Sequence, residues 1–297
     1  MKKLRNINNS TKRNTSQTGV MLISVCSITV DFPHLEWQVE SLKRQDCDFE
    51  WIVVDDKYEE HKDILSNAIG DSFRFLHIPP RVMSPYYSPG MSYNTALSYV
   101  RGELVYFMAD KIVPKLNCLN RHWHLHQKYP KAFFSGRRLG VGMTHEMIKF
   151  DEMMYVDGID DRQNYIMSHD PENVFPTDEE GVYKMGGTKM ESWWAGCNDS
   201  APMEALIAVN GLDETLDGMR RDIDRNLAWR LHNYGLDYIF DENCTVLSFD
   251  RVGGTPKQTT PECGGMEYMH KLFEKLKTTK TYLAEHTFDL KAEREKI

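Results

Sequence analysis

Apolar residues along this chain fall into two alternating rhythms. Met21 to Val30 (MLISVCSITV) is an unbroken, β-branched run, the pattern of a strand buried on both faces. Leu35 to Arg44 has helical spacing, and Phe49 to Val54 is a second strand that ends in Asp55 and Asp56. Ile64 to Ile69 predicts a helix and Arg74 to Ile78 a short strand, before prolines 79, 80, 85 and 89 mark a loop. Ser92 to Val100 reads as helix, Leu104 to Met108 as a buried strand, Leu116 to Tyr129 as helix and Ala132 to Ser135 as strand. Strand, helix, strand in repetition predicts an α/β fold with a doubly wound, mostly parallel sheet flanked by helices.

The rhythm stops between Asp151 and Glu180, where ten acids stand against one base with neither a 2 nor a 3.6 period. A long patternless segment inside a domain reads as a lid or acceptor-binding insertion, here given the bounds 140–190. Order resumes at Glu191, with a helix near Ala201 to Ala208, a turn at Asn210 and Gly211, and a helix from about Arg221 to Asn233. Tyr238 to Phe240 and Thr245 to Phe249 are short strands, and Met266 to Leu283 is a helix whose apolar stripe favours docking on the body. The expected layout is a basic disordered tail over 1–19, a single domain over 20–250 and a C-terminal helical extension over 251–297.

Composition narrows the functional classes. The 297 residues are 41% hydrophobic and 27% charged, enough apolar material for a sizeable core. The net charge is −8, and five of the bases lie in the first nineteen positions, so the remainder is more acidic still and offers no general field for nucleic acid. No apolar run is long enough to span a membrane and none resembles a secretory signal, which gives a cytoplasmic expectation. The six cysteines contain no C-x-x-C pair and are expected reduced and mostly buried. His122, His124 and His126 invite a metal reading, but only His122 and His126 share a helical face and no carboxylate completes a set; they are expected on a half-exposed helix face.

Ligands of open parallel sheets collect at the carboxyl ends of the strands. Those ends carry Ser27, Thr29 and Asp31, then Asp55 and Asp56, then Asp110. Neither a G-x-G-x-x-G turn nor a G-x-x-x-x-G-K-[ST] loop is present, so dinucleotide and P-loop readings fail. Acidic strand ends suit hydrogen bonds to a base or ribose and a cation bridging phosphates. Each aspartate also has a plainer reading as a helix cap, which is the favoured one for Asp55.

Three stretches together resemble the family-two glycosyltransferases of GT-A fold: ISVCSIT (Ile23 to Thr29) with EWIVVDD (Glu50 to Asp56), SYNTALSYVRGELVYFMAD (Ser92 to Asp110), and Trp193 to Leu231. The resemblance implies transfer of a sugar with inversion from a nucleotide-sugar, expected to be a UDP-sugar, to an acceptor hydroxyl. It places Asp224 on the catalytic base, with Leu227, Arg230 and Leu231 retained after it. It also implies Thr29 and Asp56 on the base or ribose, and Asp110 near the diphosphate. The family's D-x-D motif reads Met108, Ala109, Asp110 here, so a single carboxylate is left for manganese or magnesium, with Lys111 as an alternative positive charge. The glutamate before the base is replaced by Ile223. Trp193 and Trp194 beside Gly196 suit a platform for a pyranose ring, with core packing as the alternative; Arg220 and Arg221 read as a solvated pair. Two other classes compete: a sugar-nucleotidyltransferase, which needs a Gly-rich basic first loop that Ser27 to His34 lacks, and a degenerate module that binds sugar or nucleotide without turnover.

Overall fold

The computed structural model describes residues 23–32, 34–86, 88–141, 173–186, 196–218, 223–249 and 265–297. The tail 1–19, most of the insertion 140–190, Trp193, Trp194, Arg220 and Arg221 lie outside the described residues.

In chain order the elements are β1 (Ile23–Thr29), α1 (Leu35–Lys43), β2 (Phe49–Asp55), α2 (Tyr58–Ile69), β3 (Arg74–Ile78), α3 (Pro89–Tyr99), β4 (Leu104–Phe107), β5 (Ile112–Pro114), α4 (Cys118–Lys128), β6 (Ala132–Val141), β7 (Val174–Pro176), β8 (Val182–Met185), β9 (Asp199–Pro202), α5 (Met203–Ala208), α6 (Ile223–Tyr234), β10 (Asp237–Phe249), α7 (Gly265–Thr279) and α8 (Leu290–Glu295), with a 3-10 turn at Glu214–Leu216 before α6. The strands form one sheet in the order β3-β2-β1-β4-β9-β6-β10-β8-β7, and β5 pairs with β10 off this path. β1 to β4 are mutually parallel where they pair, and β6 runs parallel to β10 over the longest ladder. β9 is antiparallel to both β4 and β6 and joins these two parallel halves.

Strand alternation sorts the core into two layers. Ile23, Val25, Trp51, Val53, Leu104 and Tyr106 face α1, α2 and α4, whereas Cys26, Ile52, Val54, Val105 and Phe107 face α3, α5 and α6. Every residue of β2 is buried, which is why the central strands read as continuous apolar runs. The doubly wound, helix-flanked sheet expected from the sequence is present.

One expectation needs correction. The segment read as patternless to Glu180 contains β7, which with β8 forms a hairpin added antiparallel to β10. Its strands are three and four residues long, and β7 is largely exposed, so no alternation could register. Beyond α7 the chain is bonded to the body: Ala284 N donates to Val209 O (3.2 Å), Leu290 N to the Asn210 carboxamide oxygen (2.9 Å) and Arg294 to Leu97 O (2.7 Å). Among the described residues no helix is long and apolar enough to cross a membrane.

The residues carrying the family resemblance are largely scaffold. Gly102 lies so close to the backbone of Ile23 and Ser24 that a Cβ would stand 2.7 Å from it, and its N–H is held by Ser24 Oγ (2.9 Å), itself bonded to buried Glu50 (2.6 Å). Asn94, fully buried in α3, accepts from Leu212 N (2.8 Å) and donates to Leu212 O and Glu214 (both 2.8 Å). Arg230 of α6 donates to Val209 O, Gly211 O (both 2.8 Å) and Asn226 (2.7 Å). Its burial lowers its pKa to about 10, which leaves it cationic at neutral pH. Asp217 accepts from the first free N–H groups of α3, Gly90 (2.8 Å) and Met91 (2.9 Å). Asn94→Ala orphans both backbone groups of Leu212 in a water-free site, and the expected loss is about 2–4 kcal/mol. Urea unfolding monitored by circular dichroism checks it: the midpoint should fall with the slope unchanged.

Candidate active site

The carboxyl ends of β1, β2 and β4 converge on one edge of the sheet. Thr29 and Asp55 are register partners. Thr29 is buried and its hydroxyl donates to Asp31 O (2.7 Å), turning the chain away from β1. Asp56 N donates to Thr29 O (3.0 Å), so the two residues expected on the nucleoside are adjacent and half-buried Asp56 stands at the rim. Asp31 pairs with Lys57 beside them (2.5 Å).

The two neighbouring aspartates have separate tasks. Asp55 is fully buried; it accepts from Lys57 N (2.8 Å), and its other oxygen contacts His61 Nδ1 (2.9 Å) and His77 Nε2 (3.0 Å). It ties the end of β2 to α2 and β3; this role is structural, but it works through Lys57 N and the two histidines and not by capping the first turn of α2, which is the plainer sequence reading.

Met108 N bonds Cys26 O (3.0 Å), and the following turn is fixed by Gln38 of α1, which donates to Ala109 O (3.2 Å) and Ile112 O (2.9 Å). Met108 is wholly buried in the layer that faces α1 and α4. Its thioether is packed as core, and Ala109 carries no donor, so this stretch offers one hard ligand, the nearly buried Asp110 carboxylate. One carboxylate fits a magnesium or manganese ion that fills its other positions with water and ligand phosphate oxygens; it does not make an all-protein cage.

β9 delivers a second acidic group to this edge. Asp199 pairs in register with Phe107 of β4, three residues from Asp110. It is fully buried, bonded to the Ser135 hydroxyl and to Cys197 N (3.1 Å). Sequence reading missed it because β9 is four residues long and begins in a polar stretch, CNDS, without periodicity.

Asp224 lies in the first turn of α6, partly buried, and accepts from Arg225 N (3.0 Å). Burial pushes its pKa up to about 6, opposed by the Arg225 N–H and charge and assisted by the negative charge of Asp199. Gly196 takes the left-handed conformation (φ +62), and a Cβ built on it would stand 3.9 Å from the Asp224 Cβ. The loop that opens β9 therefore runs alongside Asp224, held by Tyr93, whose hydroxyl donates to Gly196 O (3.3 Å). Asp224, Gly196 and Asp199 are thus brought together.

No protein-family model matches the sequence, and no curated protein does. Solved structures do. The S. aureus TarS 1-349 fragment in complex with UDP-GlcNAc superposes with a TM-score of 0.63 at 12% identity, covering 93% of this chain and 70% of that one. The complex of the same fragment with UDP gives 0.56 at 15% identity over 77% of this chain and 61% of that one. The fold is GT-A-like. A further TarS crystal structure, of a longer chain, gives 0.56 at 14% identity with 37% of its length covered. The chain thus spans about three fifths of the UDP-bound fragment it matches.

A carboxylate whose folded pKa exceeds its unfolded value weakens the fold once ionised. For Asp224 that cost is absent below the unfolded pKa of about 4, grows as pH rises, and is complete above about 6. Asp224→Asn, which cannot ionise, should melt above wild type at pH 8, with the gap closing toward pH 4; thermal denaturation across that range is the measurement.

Proposed function

We propose that this protein transfers a sugar from a UDP-sugar to an acceptor hydroxyl with inversion, Asp224 being the base. The observation that carries this reading is a partly buried carboxylate, with a pKa raised to about 6, beside a GT-A-like sheet edge lined by Thr29, Asp56 and Asp110. The bound UDP and UDP-GlcNAc of the TarS structures support the choice of donor.

In this reading uridine lies across the ends of β1 and β2, against Thr29 and Asp56, and the diphosphate lies toward Asp110. The acceptor oxygen attacks the anomeric carbon from the face opposite the diphosphate, the bond to the diphosphate breaks, and Asp224 takes the hydroxyl proton. An ordinary aspartate is too weak a base for this; the environment of Asp224 moves it toward the operating pH while it stays ionised at neutrality. Gly196, without a side chain, leaves room beside that carboxylate for the acceptor, and Trp193 and Trp194 precede it in the sequence. A manganese or magnesium ion held by Asp110 and the donor's own phosphates would supply positive charge to the leaving group. Asp199 keeps a second negative charge near Asp224, which maintains its basicity.

Asp224→Asn should lower kcat by about two to four orders of magnitude with donor affinity nearly unchanged. Wild-type kcat/KM should rise with pH to a plateau above about 6, following ionisation of the base. Retention of wild-type turnover by Asp224→Asn, measured as UDP release with a matched acceptor, excludes the assignment.

Asp56→Ala should weaken UDP binding, read by titration calorimetry, while leaving the fold intact, since Asp56 lies half-buried at the rim. EDTA should abolish transfer and manganese restore it. Full activity in EDTA would instead assign the leaving-group charge to Lys111. Tight UDP-sugar binding without turnover on any acceptor would favour the degenerate-module reading, for which the loss of the first metal carboxylate at Met108 is the specific argument.

A further inference from the structure

On the face of β9 opposite Asp199 lies a buried cluster that the proposed transfer does not use. Cys118 opens α4 and His122 follows one turn later, so both project to the same side of the helix. Cys244 of β10, 126 residues from Cys118 in sequence, meets them with its Sγ 3.3 Å from Cys118 Sγ. All three are buried and their ligand atoms lie within 4.8 Å of one another. This overturns the expectation of a half-exposed helix face for His122; exposed His124 points instead to Glu179 (3.2 Å).

A fourth group completes the set. Asn198 Oδ1 stands 3.1 Å from His122 Nε2, 3.5 Å from Cys118 Sγ and 3.9 Å from Cys244 Sγ. Its orientation is fixed, because Nδ2 donates to Arg137 O (3.0 Å) and Cys244 O (3.1 Å). The Tyr106 hydroxyl also donates to that oxygen (3.0 Å). With both cysteines as thiols, Cys118 Sγ and the Tyr106 hydroxyl share the Asn198 oxygen, while the Cys244 thiol has the Cys118 carbonyl oxygen at 3.6 Å. A cation at the centre would instead be met by both sulfurs as thiolates, by His122 Nε2 and by the Asn198 oxygen.

We propose that Cys118, His122 and Cys244, with Asn198 Oδ1 at the fourth vertex, bind one zinc ion. Zinc bonded at its usual lengths to such ligands gives a tetrahedron with edges of about 3.3–3.8 Å; four of the six separations here are 3.1, 3.3, 3.5 and 3.9 Å and the two from His122 to the sulfurs are within 4.8 Å, so side-chain shifts of about half an ångström would seat the ion. Two thiolates and an imidazole select zinc over magnesium or manganese, so this site is chemically distinct from the one at Asp110. His122 Nδ1 lies 2.7 Å from Ser200 Oγ, an outer bond that turns the Nε2 lone pair toward the ion. On binding, two S–H bonds are replaced by two S–Zn bonds and two protons leave to solvent, with no electron transfer and no net charge left buried. The ion joins α4 and β10 to Asn198, whose neighbour Asp199 lies beside Asp224, and so braces the catalytic edge from behind.

Elemental analysis of the full chain, purified without chelator or a histidine tag, should find about one zinc per molecule. Cys118→Ser and Cys244→Ala should each lose roughly tenfold or more of it, and Asp110→Ala none. Because a cysteine variant can misfold, wild type stripped under reducing conditions and refilled with cobalt supplies a second reading: thiolate-to-cobalt charge-transfer absorption in the near ultraviolet, with proton release on titration. Reduced wild type that takes up neither zinc nor cobalt overturns the proposal. So does zinc retained by both cysteine variants, or a Cys118–Cys244 disulfide found as the resting state by peptide mapping.

Discussion

The turn from Val209 to Asp217 is the constraint on which the placement of Asp224 depends. It must cross beneath α3 and re-enter as α6, and in doing so it buries backbone groups that no strand or helix pairs. Water cannot reach them, so side chains must satisfy them. Asn94 supplies a donor and an acceptor to Leu212, and Arg230 supplies donors to Val209 and Gly211. The C-terminal segment closes the same turn from outside, through Asn210, His286 and Glu285. Since Asp224 sits six residues before Arg230 on α6, fixing the turn fixes the height of that carboxylate above the sheet.

That arrangement sets stability against chemistry at one residue. Asp224 in water would have an ordinary, low pKa and would be a poor base. Enclosing it against Gly196 and near Asp199 raises the pKa to about 6 at the expense of the fold. Asp199 beside it is held by Ser135 and Cys197. Asp217, which accepts from Gly90 N and Met91 N next to Ile223, is likewise pushed up by burial, to about 7, so the fold carries this cost at two acids around the start of α6.

The legible parts of the sequence were those whose physics is local. β1, β2 and β4 are buried on both faces and announce themselves as apolar runs, and the acids that follow them mark the sheet's ligand edge. Asp55 and Asp56 look alike in a string, yet His61 and His77 hold only the first, a difference created by β3 pairing beside β2. β7 and β8 are too short and too mixed in exposure to show a period, β9 is only four residues and wholly buried, and the place of all three comes from the strands they join. The Cys118–Cys244 contact was invisible for the same reason: pairing of β5 and β6 with β10 closes a gap of 126 positions that no spacing rule spans.

Alternation along a single strand then couples two chemistries. Asn198 and Ser200 point to one face and meet His122, while Asp199 between them points to the other and meets Ser135 on the side of Asp224. A shift of β9 by one residue would exchange these roles, moving the carboxylate among the cysteines and the carboxamide to the side of Asp224. The register of β9 is held by β4 on one side and β6 on the other. It is held as well by His122, which engages residues 198 and 200 simultaneously and can do so in only one register. The packing of α4 against β9 is therefore part of what places Asp199, and through its charge part of what sets the basicity of Asp224.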